Sequence, residues 1–185
     1  MKKLKPEFFE EGDTVEIAKK LLGKLFVCTI NGEKVSGIIN ETEAYTADDP
    51  ASHSHLHKIT PRNWSMFESP GHIYVYKIYG IYHCLNFSTE PKGFGAGILI
   101  RSIIPVEGIE IMKERRNKKE AKNLVNGPGK LCIAFGIDTD ISGQYLGDKN
   151  CPIGLYDIDY KTPKYKETPR IGISKGQDLL WRFVF

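Results

Sequence analysis

Apolar positions along the chain change their period several times, and each change predicts a boundary between elements. Val15, Ala18, Leu21 and Leu22 recur at helical spacing. Asp13 precedes them as an N-cap, Glu16 follows three residues later to complete a capping box, and Gly23 is placed to end the helix. From Lys24 to Ile30 the residues are apolar and partly β-branched, which predicts a strand. Asn31-Gly32 is a type I′ hairpin signal, so a return strand is expected from about Lys34 to Tyr45.

Thr46 to Gly71 breaks the pattern. It holds Asp, Ser, His and three prolines with few periodic apolar residues, and loops of that length inside a small domain are often functional. Two β-rich runs follow, His72–Ile78 and Ile81–Phe87, joined by Tyr79-Gly80. They predict a hairpin with a two-residue turn and Tyr79 at its tip. Gly97 to Ile104 is a further strand. Pro105 is expected to open a helix, with Glu107 and Glu110 in its first turn and Lys113, Arg115 and Arg116 toward its end. Gly127-Pro128-Gly129-Lys130-Leu131 starts a short helix, and short strands are expected around Ile153–Tyr156, Arg170–Ile173 and Trp181–Phe185. Many short strands with few helices predict an α+β single domain over residues 1–185 with a mostly antiparallel sheet.

Composition narrows the class. The chain has 185 residues, 41% hydrophobic, 26% charged, with a net charge of +3. That length suits one compact domain with a sizeable core and excludes a wholly disordered chain. No apolar run approaches the roughly 18–20 residues that cross a bilayer. The N-terminus, MKKLKPEFFEEGD, turns acidic where a signal peptide would be apolar, so the expectation is a cytoplasmic protein with no membrane partner. Cys28, Cys84, Cys132 and Cys151 form no CxxC pair and read as reduced thiols. The small positive excess permits an anionic partner without requiring one.

Four constellations could carry chemistry. Glu41, Glu43 and Tyr45 share one side of the expected strand, as do Val35 and Ile39. That face would start apolar and become acidic, and a Glu at an apolar rim suits a general base; a solvated strand face is the plainer reading. His53, His55 and His57, if extended, would point one way as for zinc, but no further ligand stands at suitable spacing, so solvated or pocket histidines are expected. Tyr74, Tyr76, Tyr79 and Tyr82 suit ordinary strand composition, except that a turn tip cannot bury Tyr79 in the protein's own core. An exposed ring on a stiff hairpin, beside basic Lys77, is what a DNA wedge needs. Lys113 to Lys122 carries six Lys/Arg against two Glu; it reads as a solvated helix end, with a phosphate shelf as the alternative.

Taken together these residues are recognisable. TVEIAKKLLGK, ETEAY, His53-Ser54, Thr60-Pro61-Arg62-Asn63, Gly71-x-Ile73-Tyr74-Val75-Tyr76-x-Ile78-Tyr79-Gly80, Ile100-Arg101, Gly127-Pro128-x-Lys130-Leu131 and Arg170-Ile171-Gly172 occur in an order that resembles the alkyladenine DNA glycosylases, also called methylpurine or 3-methyladenine DNA glycosylases of the mammalian type. The likeness runs from about Leu4 to Phe185.

The resemblance implies a curved antiparallel sheet, open and barrel-like, with flanking helices and a protruding hairpin. It implies a member of minimal length acting on double-stranded DNA that contains damaged purines, and a monomer is the default expectation. The reaction is hydrolysis of the N-glycosidic bond with no metal or cofactor, on substrates of the 3-methyladenine, 7-methylguanine, hypoxanthine and etheno-adenine class. By motif, Glu43 resembles the general base that activates water, and Arg101 and the backbone carbonyl around Ile171 look like its helpers. Tyr45, His53 and Tyr76 resemble the walls of the base pocket. Asn86 resembles the side chain that clashes with guanine's exocyclic amine. Tyr79 looks like the residue that fills the gap left by a flipped nucleotide. Lys77 and Arg62 are candidates for the DNA backbone. No lysine occupies the matched catalytic position, which implies simple hydrolysis, and His53 is the weak candidate for a general acid. Two other functions compete: a non-catalytic nucleic-acid-binding module, and a carbohydrate glycosidase using Glu41 and Glu43 as its carboxylate pair.

Overall fold

A computed structural model describes residues 1–185. Its strands are β1 (Lys2–Lys3), β2 (Leu25–Ile30), β3 (Glu33–Tyr45), β4 (Ile73–Ile78), β5 (Tyr82–Thr89), β6 (Ala96–Glu107), β7 (Ile153–Asp157), β8 (Lys166–Thr168) and β9 (Arg182–Val184). Its α-helices are α1 (Thr14–Lys20), α2 (Ile109–Arg115) and α3 (Pro128–Phe135). One antiparallel sheet runs β1-β7-β2-β3-β6-β5-β4, and β9 adds to the far end of β3 with β8 beside it. The sheet does not close, and the fold is α+β as expected.

Local chemistry explains the first elements. Asp13 Oδ1 accepts from the Glu16 N–H at 2.8 Å, so the cap is present at the expected residue. Such a cap is worth about 1 kcal/mol. Asn31 and Gly32 both have positive φ, 54° and 79°, as a type I′ turn requires, and Ile30 pairs with Glu33 across them. α1 buries Ile17 and Ala18, and α3 buries Leu131, Cys132, Ala134 and Phe135, all on one face of the sheet. Phe87 anchors that layer, with ring centroids 5.6 Å from Phe9 and 6.4 Å from Phe26.

β3 and β6 each carry an extra residue near the middle. Ile39 pairs with Ile103 and Glu41 with Ser102, which leaves Asn40 unmatched; Thr42 then pairs with Ile100, which leaves Arg101 unmatched. Each bulge shifts the alternation by one residue. The expected face, apolar from Val35 and Ile39 and then acidic, is therefore overturned. Val35 and Ile39 lie in the core with Ala44, and Thr42 Oγ1 donates to Ala18 O of α1 at 2.9 Å. Glu41, Glu43 and Tyr45 fall on the other face.

Other expectations shift for identifiable reasons. β6 continues through Pro105 to Glu107, so Pro105 does not open a helix. Only β3 pairs with that end of β6, because the pairing of β6 with β5 stops at Leu99, and an edge tolerates the missing N–H of proline. α2 starts at Ile109 after Gly108 at φ 77°, so Glu110 but not Glu107 lies in its first turn. The β4–β5 loop has three residues, since Ile78 pairs with Tyr82. Arg170–Ile173 is not a strand; β8 lies earlier, at Lys166–Thr168, and β9 takes the place of the expected final strand.

The outer halves of β4 and β5 have no third strand, because β6 pairs only with Asn86–Thr89 of β5. The hairpin thus projects as expected, with Tyr79 81% exposed at its tip.

Candidate active site

Sheet register assembles the site. Tyr74 pairs with Asn86, Asn86 with Leu99, Leu99 with Glu43, and Glu43 with Arg182. Directly paired residues send their side chains to the same face, so five strands contribute one row on the face away from the core. Loops cover this row and leave a cavity of about 640 Å³. Its lining includes Tyr45, His53, Arg62, Tyr76, Tyr79, Asn86, Arg101, Ile171 and Lys175. Half or more of that lining is apolar or aromatic, the composition of a site for a flat ring.

Glu43 has no solvent exposure and stands directly behind this wall. Its Oε1 accepts from the Ile171 N–H at 2.8 Å. Its Oε2 accepts from the Tyr45 hydroxyl at 2.7 Å and from Arg101 Nη1 at 3.2 Å. Three donors satisfy a carboxylate that burial would otherwise penalise. Arg101 is held in turn: its Nε donates to Glu41 Oε1 at 2.9 Å, and Arg182 Nε donates to the same oxygen at 2.5 Å. Glu41 is thereby tied to two arginines on Glu43's own side and does not face it across a cleft, the arrangement a paired-carboxylate glycosidase needs.

Two loops complete the walls. In the first, Asn63 Oδ1 accepts from the N–H and hydroxyl of Thr60 at 2.7 and 2.9 Å, while its Nδ2 donates to His53 O and Lys58 O at 2.8 and 3.0 Å. That one amide closes the loop and sets His53, whose Nδ1 meets Tyr74 Oη at 2.9 Å. In the second, Arg170 pairs with Asp49 through both terminal nitrogens and donates to Ala44 O at 2.8 Å. Its guanidinium lies 4.6 Å from the Tyr45 ring centre. Arg170 thus bolts the Ile171 segment to the end of β3.

The electrostatics follow from crowding. The His53 ring stands edge-on at 4.5 Å from the Tyr76 ring and is otherwise open to the cavity. Burial by the surrounding rings first, and the Arg62 charge second, pull its pKa down to about 4, which favours the neutral ring at pH 7. Burial pushes the Tyr74 phenol up to about 12. Burial also raises the phenols of Tyr45, with the neighbouring Glu43 charge as the next cause, and of Tyr76. All three stay protonated and can donate.

A sequence profile described as methylpurine-DNA glycosylase matches residues 7–185. A Bacillus cereus (strain AH187) protein described as "Putative 3-methyladenine DNA glycosylase" is 46% identical over 193 residues, covering 97% of this chain and 94% of its own length. Proteins of the same description from Bacillus anthracis (strain CDC 684) and Bacillus cereus (strain ATCC 14579) are 46% and 47% identical with the same coverage. The chain belongs to the methylpurine-DNA glycosylase family.

Most residues that the methylpurine-DNA glycosylase resemblance singles out come together at this one cavity: Tyr45, His53, Tyr76, Asn86, Arg101 and Ile171 line it, and Glu43 bonds three of its walls. Two details add to the expectation. Ile171 donates its N–H to Glu43, a contact beyond the water-holding role expected of the carbonyl around it. Arg62, a candidate for the DNA backbone, rests with its guanidinium carbon 5.1 Å from the centre of the Tyr76 ring. Lys77 is exposed on the hairpin beside Tyr79. The three histidines do not point one way, because Leu56 and His57 both take positive φ, and His57 Nδ1 meets Phe94 O instead. Arg115 and Arg116 of the basic stretch bond backbone oxygens of Ala134 and Leu124, while Lys118, Lys119 and Lys122 are exposed.

Sequence reasoning missed Asp49, Asn63, Arg170 and Arg182 as supports of a methylpurine-DNA glycosylase site. The Thr60–Asn63 spacing carries a local signal, a polar pair three residues apart in a proline turn. The Asp49–Arg170 pair spans 121 positions and has none. Lys175 was also missed; it is the only lysine lining the cavity.

Proposed function

We propose that this protein removes alkylated or deaminated purines from duplex DNA by hydrolysing the N-glycosidic bond, leaving an abasic site. The observation that carries this reading is the Glu43 carboxylate, bonded directly behind an aromatic cavity by three residues that line it, Tyr45, Arg101 and Ile171. A base within a duplex is out of reach of such a cavity, so it must rotate out, which costs a few kcal/mol. Tyr79, exposed at the tip of the hairpin, is suited to stack in the gap and offset part of that cost.

In this reading the base lies among Tyr45, His53 and Tyr76. An alkylated purine such as 3-methyladenine is cationic, which adds about 0.5–2 kcal/mol of attraction to aromatic faces. The same charge makes it a good leaving group without further protonation. Asn86 Nδ2 is occupied by Tyr74 O and Cys84 O at 3.1 and 3.3 Å, which holds its amide rigid against a purine carrying an extra exocyclic amine. Bond breaking builds positive charge on the sugar. Glu43 then acts as general base for the attacking water and as an anion opposite that charge. Lys77 and Arg62 steer the phosphates.

Duplexes carrying one lesion each, treated with alkali after incubation, test this. The unsubstituted protein is expected to give strand breaks at the lesion, and Glu43→Gln to bind the same duplex but release base slower by orders of magnitude. Near-normal release by Glu43→Gln refutes the assigned base. Binding with no abasic sites from the unsubstituted protein would mean a non-catalytic binding module. Borohydride trapping should yield no protein–DNA adduct, and an adduct lost in Lys175→Ala would overturn simple hydrolysis.

A further inference from the structure

Tyr45 has two ends with two environments. Its ring lines the cavity, and its hydroxyl lies 2.7 Å from Glu43 Oε2. The bulge at Asn40 places both residues, two apart on β3, on the face away from the core. Of the two donors to Oε2, the tyrosine is the closer, since Arg101 Nη1 stands at 3.2 Å and is also engaged by Glu41 through its Nε. With Glu43 wholly shielded from solvent, the carboxylate's orientation rests on these few bonds.

We propose that Tyr45 is a positioning residue for Glu43: its ring forms the wall of the base cavity while its hydroxyl holds the carboxylate at the angle from which it activates water. The proposal rests on the reading of Glu43 as general base. Arg170 supports the arrangement, because its guanidinium at 4.6 Å fixes the far side of the tyrosine ring. Burial and the neighbouring carboxylate keep the phenol protonated, so it is a donor throughout the working range. The same side chain that meets a stacked base is therefore bonded to the group that completes the reaction, and loss of the hydroxyl alone separates the two tasks.

Tyr45→Phe keeps the ring and removes the donor; Tyr45→Leu removes both. Lesion-duplex affinity and single-turnover base release are measured for both, and for Glu43→Gln, from about pH 5 to 9. Tyr45→Phe is expected to bind within about twofold of the unsubstituted protein and to release base roughly ten- to a hundredfold more slowly, the factor associated with one charge-assisted hydrogen bond. The acidic limb of its rate profile should move to higher pH, because a donor that favours the carboxylate is gone. The charged or titratable groups that also face the pair are Arg101, Glu41, Arg182, Arg170, Tyr76 and Cys84, and none of them is altered.

Unchanged release and an unchanged limb in Tyr45→Phe, with Glu43→Gln inactive, overturn the positioning role and leave the general base in place. Equal loss of binding and rate in Tyr45→Phe and Tyr45→Leu also overturns it, since packing then accounts for both. Activity in Glu43→Gln removes the general base and with it this proposal. Should Tyr45→Phe fold poorly, 3-fluorotyrosine at position 45 retains the shape with a stronger donor. The limb must then move to lower pH, and a stationary limb overturns the proposal.

Discussion

Asp49 and Arg170 meet across 121 positions of sequence, and neither side chain reaches solvent. Asp49 lies just beyond β3 and Arg170 just before the segment that bonds Glu43, so the pair joins the two loops that wall the cavity. Removing one member of a buried pair leaves an uncompensated charge, which costs about 3–5 kcal/mol. Asp49→Ala should therefore lower the melting temperature by roughly 10 °C in a chain of this size. Base release should also slow, because the Ile171 amide loses its anchor. Arg170→Met combined with Asp49→Ala should recover part of the melting temperature; thermal denaturation of both variants checks this, and a double variant less stable than Asp49→Ala alone contradicts it.

Tyr79 makes a second prediction. Its φ is 52°, in the left-handed region, and Gly80 beside it has φ 73°, so the tip is a rigid turn that presents the ring to solvent. A stacked aromatic contributes about 1–3 kcal/mol per base. Tyr79→Ala should weaken lesion-duplex binding by roughly tenfold or more, and binding to the same lesion in a single strand much less. Equal loss on both substrates would show that the ring does not act as a wedge.

His53 ties stability to pH. Its ordinary pKa of 6.5 falls to about 4 in the folded protein. The unfolded chain therefore binds the proton first as pH drops, and protonation favours unfolding. The stability that His53 contributes as a neutral ring is present above about pH 6.5 and is lost as pH falls toward 4. Its exposure to the cavity makes the effect small. Melting temperatures from about pH 7 to 4 should fall more steeply for the unsubstituted protein than for His53→Gln, and parallel curves would argue against a depressed histidine.

Arg62 and Lys77 can be told apart by two measurements. Removing one cation that neutralises a phosphate should reduce the slope of log affinity against log salt by about 0.9 on duplex DNA. Lys77→Ala and Arg62→Ala should both show that change. Only Arg62→Ala should raise the His53 pKa, since the guanidinium is the second cause of its depression. Titration of the His53 ring by NMR checks the second effect. An unchanged salt slope in Arg62→Ala would assign that residue to the Tyr76 ring alone.

Local signals reported local structure. Asp13 caps α1, Asn31-Gly32 turns between β2 and β3, Pro128 opens α3, and Tyr79 stands at an exposed tip, because each depends on a few neighbouring residues. The candidate site is legible in the sequence as motifs: Glu43, Tyr45, His53, Tyr76, Asn86 and Arg101 stand out one by one, without their meeting place. Pro105 misled, since a helix-opening residue is equally at home at a strand edge, and only the pairing partner decides between the two.

Residue types and short-range spacing pointed to most of the elements, and the resemblance carried by the motifs pointed to the side chains expected to meet a purine. Which face those side chains occupy came from elsewhere. The bulge at Asn40 turned Glu41 and Glu43 away from the core that Ile39 faces, and a bulge is visible only when two strands are laid side by side. The Asp49–Arg170 pair, and the Ile171 amide on Glu43, likewise exist only once residues more than a hundred positions apart are brought together. Period and composition act over a few residues; register and ion pairing act across the sheet, and they alone decided that a carboxylate on β3 would be sealed behind the wall of an aromatic cavity.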